Sequence, residues 1–97
     1  MINNKIALSL QIVPKSKKLD TYPLIDKAID IIKNSGIRYM VTPMETVMEG
    51  HFDEVNAIAL KAQKAVIDAG ADEVLVFIKM HYRVNEDVTF EEKKLNR

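Results

Sequence analysis

The stretch Thr42-Pro43-Met44-Glu45-Thr46-Val47-Met48-Glu49-Gly50 is where the chain turns back on itself. Pro43 has no N–H to give to a sheet ladder, so it belongs at a turn or a strand end. The extended runs on either side, Ile37 to Val41 and Thr46 to Glu49, therefore read as the two arms of a hairpin. The second arm ends in the carboxylate of Glu49, followed by Gly50, a residue free to take positive φ where a strand gives way to a helix. A carboxylate at such a strand end is well placed to meet a ligand.

Upstream of the hairpin, Lys5 to Val13 alternates, with Ile6, Leu8, Leu10 and Ile12 on one face and Ala7, Ser9, Gln11 and Val13 on the other. This is a strand with one apolar face, ended by Pro14, and its other face carries two hydrogen-bonding side chains. Asp20 and Thr21 can cap the next segment, with Pro23 in its first turn. Leu24, Ile25, Ala28, Ile29 and Ile32 recur there at helical spacing, and Gly36 is the left-handed residue that stops the helix.

Downstream, Asp53 is the expected cap of a second helix with Val55, Ile58, Ala59, Ala62 and Val66 as its buried stripe, closed at Ala69-Gly70. A last strand runs from Glu73 to about Arg83, with Val74, Val76, Ile78 and Met80 opposite Leu75, Phe77, Lys79, His81 and Arg83. Thr89 followed by Glu92 spells a capping box for a short tail helix whose mostly charged residues offer little apolar surface for docking.

The order strand, helix, strand, strand, helix, strand contains two β-α-β units. Right-handed crossovers put both helices on one face of a four-stranded antiparallel sheet, an α+β, ferredoxin-like sandwich. The first and last strands then pair, bringing Ser9 or Gln11 towards Lys79 or His81. No segment is long enough to cover the other sheet face, where Ser9, Gln11, Lys79, His81 and Arg83 mix with Met40, Leu75 and Phe77. An uncovered half-apolar face meets a ligand or another subunit. Whether Thr46 with Met48 or Val47 with Glu49 joins it depends on the hairpin register, which the sequence leaves open.

The 97 residues suit one domain, spanning residues 1–97, with about 60–70% of the unfolded surface available for burial. Fourteen basic residues balance 14 acidic ones, so bulk charge supports binding to neither nucleic acid nor anionic membrane. Cysteine is absent, which excludes disulfides, thiol catalysis and thiolate metal sites and is compatible with a reducing cytosol. The start, Met1 to Lys5, shows no signal-peptide pattern and no apolar run approaches the ~20 residues of a span, so a soluble cytoplasmic protein is expected. The apolar edge from Ile37 to Val41, with only Arg38 to deter pairing, points to a homo-oligomer.

Taken together, these pieces resemble the small thiamine-binding proteins of ferredoxin-like fold. The likeness rests on the alternating first strand ending in Pro14, "TPMETVMEG" (42–50), "HFDEV" (51–55), "DAGADEV" (68–74), and "KMHYR" (79–83) followed by "TFEEK" (89–93). The resemblance implies a dimer or tetramer that binds thiamine or its pyrimidine precursor without catalysis and without a cofactor. One position departs: the family often has Gly after Pro-Met, where this chain has Glu45.

Thiamine joins a cationic thiazolium to a flat aminopyrimidine. Glu49 supplies a candidate carboxylate, Ser9, Gln11 and Thr46 hydrogen-bonding groups, and Met40, Met48 and Phe77 apolar flats, with Lys79, His81 and Arg83 along the last strand. Each has a plainer reading. Glu49 equally suits the start of the second helix, Ser9 and Gln11 a subunit interface, and Thr46 the hairpin backbone. Lys79 and Arg83 suit either a phosphate or partner carboxylates, and the methionines suit core filling. An enzyme would need a nucleophile with its base, an RNA module a basic-aromatic sheet, and a metal carrier paired thiols. The remaining rival is a regulatory or assembly module whose open face binds only protein.

Overall fold

The structure, a computed structural model, describes residues 4–93. Its elements are β1 (Lys5–Lys15), α1 (Thr21–Asn34), β2 (Arg38–Val41), β3 (Thr46–His51), α2 (Phe52–Asp68), β4 (Glu73–His81) and α3 (Phe90–Lys93). The strands lie in the order β2-β3-β1-β4, every neighbouring pair antiparallel. This is the expected ferredoxin-like arrangement.

The core forms between the helices and one sheet face. Ile6, Leu8, Leu10 and Ile12 of β1 meet Leu24, Ala28 and Ile32 of α1 and Val55, Ile58, Ala59, Ala62 and Val66 of α2. Burying side chains of this size stabilises by about 1.5–3 kcal/mol each, so the apolar stripes hold the helices on the sheet. Gly36 leaves α1 with a φ of 82°, the left-handed turn that a Cβ would disfavour.

Several boundaries differ from the sequence reading. β1 continues through a buried Pro14 to Lys15. β3 pairs with β1 only as far as Leu10 opposite Thr46, so beyond that point one edge of β1 has no ladder partner there and tolerates a missing N–H. Asp53 lies inside the first turn of α2 with Glu54, and His51 takes the capping backbone position. Gly50 stays in β3 without positive φ. A Cβ there would come within 2.9 Å of both Glu54 Oε1 and Val55 Cγ1, so its glycine allows α2 to approach the strand closely.

The largest difference concerns the open face. After β4 the chain folds back, and the Lys5 N–H donates to Asp87 Oδ1 at 2.8 Å while the Val88 N–H donates to the Lys5 carbonyl at 2.9 Å. Val88 and Phe90 are buried, so the tail covers part of a face expected to stay bare. The Thr89–Glu92 capping box is present, with reciprocal bonds of 3.2 and 3.3 Å. Residues 94–97 of the expected tail helix lie outside the described residues.

Candidate functional site

Cross-strand pairing arranges the open face in rows. Arg38, Glu49, Ala7 and His81 stand side by side across β2, β3, β1 and β4, and Met40, Val47, Ser9 and Lys79 form the next row. Gln11 opposite Phe77 forms a third row over β1 and β4. The register therefore puts Val47 and Glu49 on the open face and turns Thr46 and Met48 towards the helices, since side chains alternate along a strand. Met48 is fully buried there.

The first row lies beneath the tail. Glu49 is buried, its Oε1 accepts the Phe90 N–H at 2.8 Å, and its Oε2 lies 3.5 Å from Arg38 Nη1. The Arg38 guanidinium in turn sits 5.1 Å above the Phe90 ring centroid and pairs with Glu91. Glu49, the expected ligand anchor, thus holds the tail against the sheet. Arg83 lies just past β4 and makes a two-pronged contact with Glu92, at 2.9 and 2.6 Å.

That contact sets an acid limit on the tail. The Arg83 hydrogen bond, then the Thr89 amide, lowers Glu92 from 4.5 to about 2. Because the folded value lies below the unfolded one, the stabilisation is complete above pH 4.5 and is lost as pH falls towards about 2. Carboxyl NMR shifts of Glu92 and the Phe90 amide signal should move together in that window. Loosening of the tail on going from neutral to alkaline pH would contradict the assignment.

The second and third rows remain open beside the hairpin loop. Ser9, Gln11, Glu45, Val76, Phe77, Ile78 and Lys79 line a depression of about 490 Å³, within the range of small-ligand pockets. Glu45 reaches it because the loop backbone is tied down: its carbonyl accepts from the Thr42 N–H at 2.8 Å and the Thr42 hydroxyl at 2.7 Å, and its N–H donates to Thr42 Oγ1 at 3.1 Å. Its carboxylate then crosses to β1 and β4, where Ser9 Oγ donates to Oε1 at 2.6 Å and Lys79 Nζ lies 3.4 Å from Oε2. The Ser9 hydroxyl, with Lys79 adding to it, holds Glu45 below the usual carboxylate range against the opposing effect of desolvation.

A second groove, about 320 Å³, runs between α1 and the same loop and shares Gln11 and Glu45 with the depression. Ile25, Ile29, Val41 and Pro43 contribute much of its wall, and Thr46 borders it. Thr42, also on this wall, is occupied by the turn bonds just described. Thr21 and Asp26 also line this groove, whereas on the sheet side Ser9, Gln11, Glu45 and Lys79 come together beside Phe77. Met40 is exposed on the same face but belongs to the outer strand, while His81 lies one row towards the tail.

Glu45 was legible only as a departure from a pattern, because its reach depends on the Thr42 turn. Among the described residues no cluster of His, Cys, Asp and Glu is suited to hold a metal ion.

A sequence profile of the thiamine-binding protein family matches residues 8–96. The chain belongs to that family. It is 38% identical over 86 residues to a UPF0045 protein of Clostridium perfringens, covering 89% of this chain and 90% of the relative. A domain of unknown function from Bacillus cereus superposes with a TM-score of 0.91 at 43% identity, over 94% of this chain and 88% of that one. A Thermotoga maritima protein assigned provisionally to thiamine biosynthesis or salvage superposes with a TM-score of 0.81 at 27% identity, over 92% and 94% of the two chains. Membership in the thiamine-binding family points to small-molecule binding. No helix among the described residues is long and apolar enough to cross a membrane.

Proposed function

We propose that this chain, working in the cytoplasm as one ferredoxin-like domain, is a non-catalytic binding protein for thiamine or its hydroxymethylpyrimidine precursor. The observation that carries this reading is the carboxylate of Glu45, aimed by Ser9 into an open depression floored by Gln11 and Phe77. Glu45 rather than Glu49 is the polar anchor, since Glu49 is committed to the tail. A flat aminopyrimidine can lie on the half-exposed Phe77 ring, give its N–H groups to Glu45 and exchange donor and acceptor roles with the Gln11 amide. The Ser9 hydroxyl donates its hydrogen bond to a carboxylate of lowered basicity, which is a poor arrangement for generating a nucleophile.

Leu75 and Phe77, about half exposed on β4, favour a second copy of the chain over the same face, as a dimer or tetramer that walls in the ligand. These apolar residues also support the alternative, an assembly module that binds only protein. A thermal-shift measurement separates the two. Thiamine or the pyrimidine at about a hundredfold excess over its Kd should raise the unfolding midpoint by roughly 10 °C. A midpoint unmoved by millimolar concentrations of both would leave only the assembly reading.

A further inference from the structure

The two partners of the Glu45 carboxylate differ in permanence. Ser9 belongs to the central strand, is nearly inaccessible and makes a short bond of 2.6 Å. Lys79 belongs to the outer strand β4, approaches to only 3.4 Å and has a side chain 75% exposed, against 25% for Glu45. An ammonium on a flexible stem at that distance gains little over full hydration. Glu45, by contrast, is held at both ends, its backbone by three bonds to Thr42 and its carboxylate by one to Ser9. The depression thus presents one rigid anionic oxygen whose counter-charge is easily exchanged.

We propose that Lys79 is a placeholder cation: an organic cation entering the depression takes its place on Glu45, which makes Glu45 the residue that selects positively charged ligands over neutral ones. The inference rests on the ligand site described above and adds its charge preference. Glu45 stays ionised throughout the neutral range, because Ser9 holds its carboxyl low. On ligand entry Lys79 swings into solvent, at little loss, and the Ser9 bond remains. A neutral ring of the same shape gains only a hydrogen bond, leaving Lys79 where it was.

Calorimetric titration of thiamine, whose thiazolium is permanently charged, and of hydroxymethylpyrimidine, neutral at mildly alkaline pH, tests this with three proteins. On the wild type, thiamine should bind more tightly than the pyrimidine. Lys79→Ala removes the competitor and should tighten thiamine by about two- to fivefold, the range set by an exposed ion pair, with the pyrimidine changed less than about twofold. Glu45→Gln should weaken both ligands, since each gives pyrimidine N–H groups to the carboxylate, but thiamine by at least about threefold more than the pyrimidine, because only thiamine also loses an ion pair. Lys79→Gln and a check of each unfolding midpoint guard against a folding artefact. Thiamine binding that is unchanged or weakened by both Lys79 variants, or an equal loss of both ligands in Glu45→Gln, overturns the charge-exchange inference while leaving the site standing. Failure of both ligands to bind the wild type overturns the site and the inference together.

Discussion

Replacing Phe90 with alanine is expected to destabilise the protein by about 3 kcal/mol, at the lower end of the 3–5 kcal/mol seen for aromatic truncations. The side chain is 6% exposed, lies under the Arg38 guanidinium and covers the row that contains Ala7 and the buried Glu49. Truncation opens that row to water, which softens the cavity cost, but it also removes the cation–π contact and loosens the Phe90 N–H bond to Glu49. For a domain whose total stability is on the order of 5–15 kcal/mol, this is a large fraction. Urea denaturation reads the change directly. A loss below about 1 kcal/mol would mean that the tail rests on the sheet without contributing to its stability.

Ser9→Ala should cost about 1.5 kcal/mol and loosen ligand binding at the same time. The hydroxyl makes a 2.6 Å bond to an ionised carboxylate, a class that contributes about 1.5–3 kcal/mol, and rehydration of the partly exposed Glu45 offsets some of the loss. Without Ser9 the carboxylate keeps only the long contact to Lys79 and no longer points into the depression. Thiamine affinity should then fall by about tenfold, because the same charged hydrogen-bond network aims the anchor. Denaturation and calorimetry on one preparation measure both effects. Unchanged stability together with unchanged affinity would show that Glu45 is held by its turn alone.

The elements that could be read from the sequence are those whose pattern is local. The α2 stripe of Val55, Ile58, Ala59, Ala62 and Val66 is buried as its spacing requires, and the alternation of β1 separates core from open face at Ile6, Leu8, Leu10 and Ile12. The Thr89–Glu92 box lies within one helical turn and was equally legible. Features set by distant partners were not. Thr46-Val47-Met48-Glu49 has no clean polar alternation, so its facing is decided by the pairing of Met48 with Leu8 and Val47 with Ser9. At Gly50 the sequence suggests a backbone of positive φ, whereas the reason for the glycine is the closeness of Glu54 and Val55 on α2.

The tail escaped for the same reason. Val88 and Phe90 are two apolar residues among charges, and the group that receives the Phe90 N–H is Glu49, 41 positions earlier. Sequence spacing carries no signal for such a contact. With Glu49 engaged by the tail, Glu45 is the only carboxylate among the described residues that lines the sheet-side depression, and in the sequence it stands out solely through the resemblance, which leads one to expect glycine there.

The most direct measurement is an NMR titration of the protein with thiamine, following backbone and side-chain signals residue by residue. Saturable shifts should centre on Ser9, Gln11, Glu45, Phe77 and Lys79, with Phe90 and the Glu49 carboxyl left in place. Shifts confined to Tyr22, Ile25 and Ile29 in the groove beside α1, or displacement of the tail from Glu49, would contradict the placement of the site on the sheet beside Glu45.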